Sequence, residues 1–318
     1  MTQSGHYTKT RITLPATDIT MPIHDATRIV VLFVTIFLTN QVQAQNDTGL
    51  TAQRLSDNIF VLFGAGGNIG VSTGPDGTFI IDDQYADSGD AIRVAIAAFS
   101  DKPIRYVINT HWHFDHNGSN EHFGKAGSLI IAHDNVRKRM ISGGYIGAVD
   151  RNIPAASSEA LPVITFSDTM TLHLNGDTVY LLHVSSSHTD GDGIIWFKDS
   201  NIIHMGDTFL NGIYPIADLD SGGSINGIIR AADTVLSFID DQTQIIPGHG
   251  PVGIKADLEE YRDMCVVLRD RVADMKENGM TLEEVITTAP TRDYDAKWDT
   301  GGEEWRIISI TALYQEAP

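Results

Sequence analysis

The sequence predicts an α/β fold of two packed sheets with helices outside, and three observations carry that prediction. Apolar runs of strand length precede segments of helical spacing, and this strands-then-helix order occurs in each half of the chain. The 318 residues are 42% hydrophobic, enough for one large core, and no linker divides the body. Histidines and aspartates cluster directly after apolar runs, where loops on a rigid scaffold usually carry function.

At the start of the chain Arg28 precedes the apolar run Ile29 to Leu38, and Val42-Gln43-Ala44 follows as a small-residue cleavage signal before Gln45. Residues 1–44 therefore read as a secretory signal peptide, with Met21 as the expected true start. The run is too short to cross a bilayer as a helix, so no stable membrane insertion is expected once it is removed. The expected location is periplasmic or secreted. The formal net charge is −19, and in the leader Lys9, Arg11 and Arg28 outweigh Asp18 and Asp25, so the remaining body is strongly acidic. Nucleic acid and anionic membrane surfaces repel such a body, which leaves a small molecule as the expected partner. A single cysteine, Cys265, allows no internal disulfide. It lies in the helical pattern Leu258 to Val272 and reads as a small core residue.

Ile59 to Leu62, Ile69 to Ser72 and Thr78 to Ile81 read as strands, the last two joined by the turn Gly74-Pro75-Asp76-Gly77. Asp82 and Asp83 end the third strand, where each either supports a ligating histidine or caps the turn. Asp90 to Phe99 has helical spacing, and Ile104 to Ile108 is a buried strand. Leu129 to Ala132 is the next strand, with a helix from Asp134 to about Met140. Ser142 to Ser158 is rich in Gly, Ser and Ala without periodicity and reads as a flap or a connector. Met170 to Leu174 and Val179 to Val184 form a hairpin around Asn175-Gly176-Asp177, and Ile194 to Phe197 pairs with Ile202 to Met205. Helices are expected at Ile225 to Phe238 and Lys255 to Lys276, with the strand Gln244 to Ile246 between them. The stretch Thr281 to Pro318, with Trp298 and Trp305, is expected to pack as a tail on residues 45–280.

The densest chemistry is His111-Trp112-His113-Phe114-Asp115-His116, three imidazoles and a carboxylate in six residues after a buried strand. Neither a strand nor a helix gathers all four side chains, whereas a strand-to-helix turn does. Imidazole nitrogen and carboxylate oxygen suit zinc, with iron or manganese as competitors. Further polar groups follow apolar runs at His188, within Ser185 to Asp192, at Asp207 after Gly206, and at His249 within Pro247-Gly248-His249-Gly250. His122, His133, His173, His183 and His204 lie in or beside regular elements and read as structural, with His183 and His204 near the strand ends.

In this order and these loop contexts, His111-x-His113-x-Asp115-His116, His188, Asp207 and His249 resemble the metallo-β-lactamase superfamily over roughly residues 55–275. The resemblance implies a four-layer αβ/βα sandwich with two zinc ions in a cleft at one edge of the sheets. It implies that His111, His113 and His188 hold one zinc, that Asp115, His116 and His249 hold the second, and that Asp207 bridges them. A water shared by two such cations loses its proton near neutral pH, and the resulting hydroxide attacks a carbonyl carbon. Asp115 is the residue expected to orient that nucleophile. The expected function is an exported zinc-dependent hydrolase that opens a cyclic amide or ester, with a β-lactam as lead substrate. A lactonase or thioesterase is the alternative, and a non-catalytic metal-dependent binding protein the second. Arg230, Ser221 and Ser224 are the candidates to hold a β-lactam's carboxylate. Trp112, Phe114, Phe209 and Tyr214 read either as an apolar wall beside the metals or as core.

Overall fold

A computed structural model describes Met1 and residues 48–318. The leader expected at residues 1–44 lies outside the described residues. In chain order the elements begin with β1 (Thr51–Arg54), β2 (Ile59–Phe63), β3 (Ile69–Ser72), β4 (Thr78–Ile81), α1 (Gly89–Ala97) and β5 (Ile104–Ile108). There follow α2 (Phe114–Asn117), α3 (Asn120–Lys125), β6 (Leu129–His133), α4 (Asp134–Ser142), β7 (Gly144–Ile146), β8 (Arg151–Ile153) and β9 (Ile164–Phe166). The second half holds β10 (Thr169–Leu174), β11 (Asp177–His183), β12 (Gly193–Phe197), β13 (Ile202–His204), α5 (Ile225–Leu236), β14 (Gln244–Ile246) and β15 (Gly253–Ile254). The chain closes with α6 (Lys255–Glu277), α7 (Leu282–Thr288), α8 (Asp295–Trp298) and α9 (Glu303–Glu316).

Two sheets form, one of seven strands in the order β1-β2-β3-β4-β5-β6-β9 and one of six in the order β10-β11-β12-β13-β14-β15. Alternation along the strands assigns each side chain to a layer. Ile59, Val61, Phe79, Ile81, Ile108 and Ile131 face the second sheet and pack on Val179, Leu181, Ile195, Phe197 and Ile202. Phe79 and Phe197 stack across the gap with ring centroids 5.9 Å apart. The intervening positions Leu62, Val71, Ile80, Val107 and Ile130 turn outward and are covered by Ile92 and Ile96 of α1 and Phe123 of α3. Strands buried on both faces carry continuous apolar runs, which is why they were legible as strands. On the far side, α5, α6 and α9 cover the second sheet with Ile228, Ala232, Leu258, Leu268, Ile310 and Leu313. The result is the four-layer αβ/βα sandwich.

Residues 281–318 fold as α7, α8 and α9, and Val285, Trp298, Ile310 and Leu313 are buried in the core beside the second sheet. Cys265 is buried in α6. The stretch expected as a structureless flap or connector contains a β-hairpin, β7 antiparallel to β8. Its residues lack the alternating apolar pattern that marks a strand, because most of the hairpin lies on the surface. Among the described residues no helix is long and apolar enough to cross a membrane.

Candidate metal centre

The parallel pairs β4·β5 and β13·β14 bring the carboxyl ends of their strands to one edge of the sandwich, and the polar motifs follow those ends. Thr110 to His113 leave β5 in irregular backbone, and His113 is the residue before the single turn of α2, with φ −70° and ψ 146°. That turn redirects the chain so that Asp115 and His116 rejoin His111 and His113. The loop after β11 carries His188, the one after β13 carries Asp207, and the one after β14 carries His249.

These loops assemble three groups whose ligand atoms lie within 4.8 Å of one another: His111 with His113 and His188, His111 with His116 and Asp207, and Asp115 with His116 and His249. All seven residues singled out from the sequence are thus brought together. His188 Nε2 lies 2.9 Å from His113 Nδ1, and His116 Nε2 lies 3.2 Å from His249 Nε2. Asp207 reaches both sides, with one oxygen 3.1 Å from His116 Nε2 and the other 3.5 Å from His188 Nε2. Gly248 makes room for it, since any Cβ at that position would collide with the Asp207 carboxylate.

The outer nitrogens of four rings are already committed. His111 Nδ1 donates to Thr110 Oγ1 at 2.9 Å, and that hydroxyl donates to Asp82 Oδ2 at 2.7 Å. His116 Nδ1 donates to the same Asp82 oxygen at 2.8 Å, His113 Nε2 to Asp218 at 2.9 Å, and His188 Nδ1 to the Ile216 carbonyl at 2.7 Å. These acceptors engage one nitrogen of each ring and leave the other turned inward toward the remaining ligand candidates. Burial holds the His111 imidazole well below its ordinary pKa and takes His188 down to about 4, which keeps both neutral. Ring nitrogens turned toward one another at such short range form a donor set that suits a metal ion. The inward His111 Nε2 and Asp207 Oδ1 are buried without a hydrogen-bond partner, as expected of metal donors. At the second group, burial opposes protonation of His116 and His249, yet Asp207 and Asp115 outweigh it and raise both. The same imidazoles hold the Asp115 and Asp207 carboxylates below the usual range against burial. Positive charge is therefore favoured there too, and the residues fit metal binding.

Asp82 and Asp83 divide the two roles foreseen for them. Asp82, at φ 63°, supports Thr110, His111 and His116, whereas Asp83 accepts the Ser119 backbone N–H at 2.9 Å. Sequence reasoning missed Thr110, Ile216 and Asp218. Asp218 lies among Asp218, Leu219 and Asp220, and nothing in that stretch distinguishes it before the loop is folded back onto His113, 105 residues away.

Three expectations need correction. Ser221 Oγ accepts the Trp112 indole N–H at 3.0 Å, Ser224 Oγ caps α5 and bonds Glu316, and Arg230 lies exposed on α5. None of the three is free beside the metal groups to hold a carboxylate. Phe209 and Tyr214 are core, Phe209 packing on Tyr261 and Tyr214 donating to Asp295. Trp112 is buried with Val136 and Met140, so Phe114 alone of the four aromatics remains half exposed at the rim. His204 Nε2 donates to the Asn68 carbonyl and its Nδ1 accepts from the Gly206 N–H, and His183 stacks on His133 at 3.7 Å, so the ring nitrogens of His204 are spent on backbone.

Residues 55–269 match the sequence profile of the Metallo-beta-lactamase superfamily. A hydroxyacylglutathione hydrolase from a Polaromonas species is 29% identical over 149 residues, covering 46% of this chain and 48% of that protein. A linear primary-alkylsulfatase from a Pseudomonas species is 24% identical over 256 residues, covering 67% of this chain and 48% of that protein. The chain spans about half the length of both relatives. Among solved structures, the stereoselective inverting sec-alkylsulfatase from a Pseudomonas species superposes with a TM-score of 0.62 at 18% identity, covering 84% of this chain and 50% of that one. A metallo-beta-lactamase from Pontibacter korlensis superposes at 0.58 with 15% identity, covering 68% of this chain and 99% of that one.

Proposed function

The chain belongs to the metallo-beta-lactamase superfamily, and from that membership and the geometry of its site we propose that it is a zinc-dependent hydrolase opening a small ester or cyclic amide. The observation that carries the reading is the convergence of five imidazoles and two carboxylates, with the outer nitrogens of four rings already spent on other partners. In this reading His111, His113 and His188 would hold one zinc ion and Asp115, His116 and His249 the other, with Asp207 available to both. Two bound zinc ions would supply a Lewis acid and a water that is nucleophilic near neutral pH. Asp82, Asp218 and the Ile216 carbonyl keep the rings aimed inward. Asp115 lies 3.2 Å from His249 Nε2 and is partly open to solvent, which suits its carboxylate to accept a hydrogen bond from the attacking water and orient it.

The loss of Ser221, Ser224 and Arg230 as carboxylate anchors moves the lead from a β-lactam to a carboxylic ester, thioester or lactone. A sulfate ester is the second reading, favoured by the likeness to the sec-alkylsulfatase, which extends over 84% of this chain against 68% for the Pontibacter lactamase. Export through residues 1–44 belongs to the same proposal and is supported by the run Ile29 to Leu38 and the small-residue signal before Gln45.

The test is to express the whole chain, read the mature N-terminus, count bound metal, and assay an aryl ester, a lactone, a chromogenic β-lactam and an alkyl sulfate. The expected result is a chain beginning at Gln45 with two zinc ions and chelator-sensitive turnover of the ester or lactone. An Asp207→Ala variant is expected to lose zinc and most of the turnover. A protein that binds no metal, or an Asp207→Ala variant with two tight zinc ions and full activity, refutes the assignment.

A further inference from the structure

The β7–β8 hairpin brings a cation to the rim of the metal site. It is pinned from beneath, because Gly144 lies close to Trp112 and Ile146 is buried with Trp112, Val136 and Met140. Asp150, in the left-handed region at φ 45°, reverses the chain and accepts a hydrogen bond from the Tyr145 hydroxyl at 2.7 Å. That reversal delivers Arg151, exposed to solvent, onto the face of Phe114, with Cζ 3.9 Å from the ring centroid.

Phe114 is the residue between His113 and Asp115, so the guanidinium lies against the loop that carries four of the candidate ligands. The Phe114 ring lies 5.9 Å from that of Tyr85. Burial first, and then the Asp115 carboxylate, raise the Tyr85 phenol, while His116 and then Arg151 oppose them. Arg139, Arg271 and Arg306 each hold a carboxylate, at Asp190, Asp293 and Asp299. Among the described residues Arg151 has no carboxylate partner, in a chain whose net charge is −19. An arginine stacked on an aromatic ring keeps its planar fork oriented and its N–H donors free, the arrangement that binds a carboxylate through two parallel hydrogen bonds.

We propose that Arg151 anchors a carboxylate of the substrate whose apolar part lies against Phe114. The inference rests on the hydrolase reading of the same site and narrows it to substrates that carry an acid beside the bond to be cut. Ester half-acids belong to that class, and so do β-lactams, whose anchor would then come from this hairpin instead of the segment between Asp207 and His249.

Binding of phenylsuccinate, a dicarboxylate with an aromatic group, tests this by calorimetry on the zinc-loaded protein. The dissociation constant is expected to rise about tenfold in Arg151→Ala and to recover in part in Arg151→Lys, which keeps the charge but loses the fork. In parallel, the ratio of kcat/KM for 4-nitrophenyl hydrogen succinate over 4-nitrophenyl acetate is expected to fall about tenfold in Arg151→Ala. Equal phenylsuccinate affinity in wild type and Arg151→Ala, or no binding by the wild type, overturns the proposal. If phenylsuccinate binding depends on Arg151 while neither ester is turned over, the anchor stands and the carboxylic-ester reading falls.

Discussion

Asp192 holds the loop that carries His188, accepting the Thr189 backbone N–H at 2.8 Å and the Thr189 hydroxyl at 2.5 Å. Burial nevertheless dominates and pushes its carboxyl up to about 8. Between the ordinary carboxylate range and pH 8 the folded protein therefore keeps a proton that the unfolded chain releases. The native state binds more protons there, so this contribution to stability is fully present below about pH 4 and is lost as pH rises through about 8. Asp192→Asn removes the titration. Its unfolding free energy relative to wild type is expected to improve as pH rises from 5 to 8, by up to about 1.4 kcal/mol per pH unit. Urea unfolding at fixed zinc concentration reads the difference, and a difference flat across that range removes Asp192 from the account. At this scale the candidate ligands were legible because each follows an apolar run in a short polar motif, as His249 does after Ile245 and Ile246. The residues that aim them were not. Asp218 and Ile216 act only because the segment between β13 and α5 returns to His113 and His188, and Arg151 acts only through a hairpin with no sequence pattern of its own.

Helix α5 shows how the C-terminal helices are tied to the sandwich. Its first turn leaves backbone N–H groups without partners inside the helix. Ser224 Oγ accepts the Gly227 N–H, and the Glu316 carboxylate at the end of α9 accepts from the Ile225 N–H at 2.6 Å, the Asn226 side chain at 2.7 Å and the Ser224 hydroxyl at 2.6 Å. A carboxylate at a helix N-terminus also meets the positive end of the helix dipole. Glu316→Ala is accordingly expected to lower stability by about 1–2 kcal/mol, and Glu316→Gln, which keeps the oxygen acceptor, by roughly half as much. A shift in urea midpoint indistinguishable from zero for the alanine variant would mean that α9 is held by its buried face alone. Long helices such as α6 were legible to within a residue or two, since periodicity accumulates over many turns. The three-residue β9 and the two-residue β15 were not read as strands, since each carries too few positions for a period to show. They exist because the neighbouring strands β6 and β14 offer them hydrogen-bonding edges.

Across the whole molecule, the two sheets meet at the metal centre as well as in the core. His111, His113, Asp115 and His116 follow a strand of the first sheet, whereas His188, Asp207 and His249 belong to loops of the second. The strands-then-helix order made two packed sheets legible, but the sequence carries no signal that β13 pairs in parallel with β14 across forty residues, the pairing that sets Asp207 beside His249. Ions held between the halves would stabilise only the folded state, because the unfolded chain scatters their ligands. By linkage, free zinc at about a thousand times its dissociation constant adds roughly 4 kcal/mol. Removing it also leaves buried imidazoles facing one another, with His116 and His249 drawing protons from solvent. Chelation is therefore expected to lower the thermal midpoint by about 8–15 °C for a domain of this size, and zinc, but not magnesium, is expected to restore it, since Mg2+ prefers oxygen donors. Scanning calorimetry of the same preparation before and after chelation reads this without any substrate. An unchanged midpoint would show that the clustered histidines hold no ion that joins the two sheets, and the hydrolase reading would lose its foundation together with the metal.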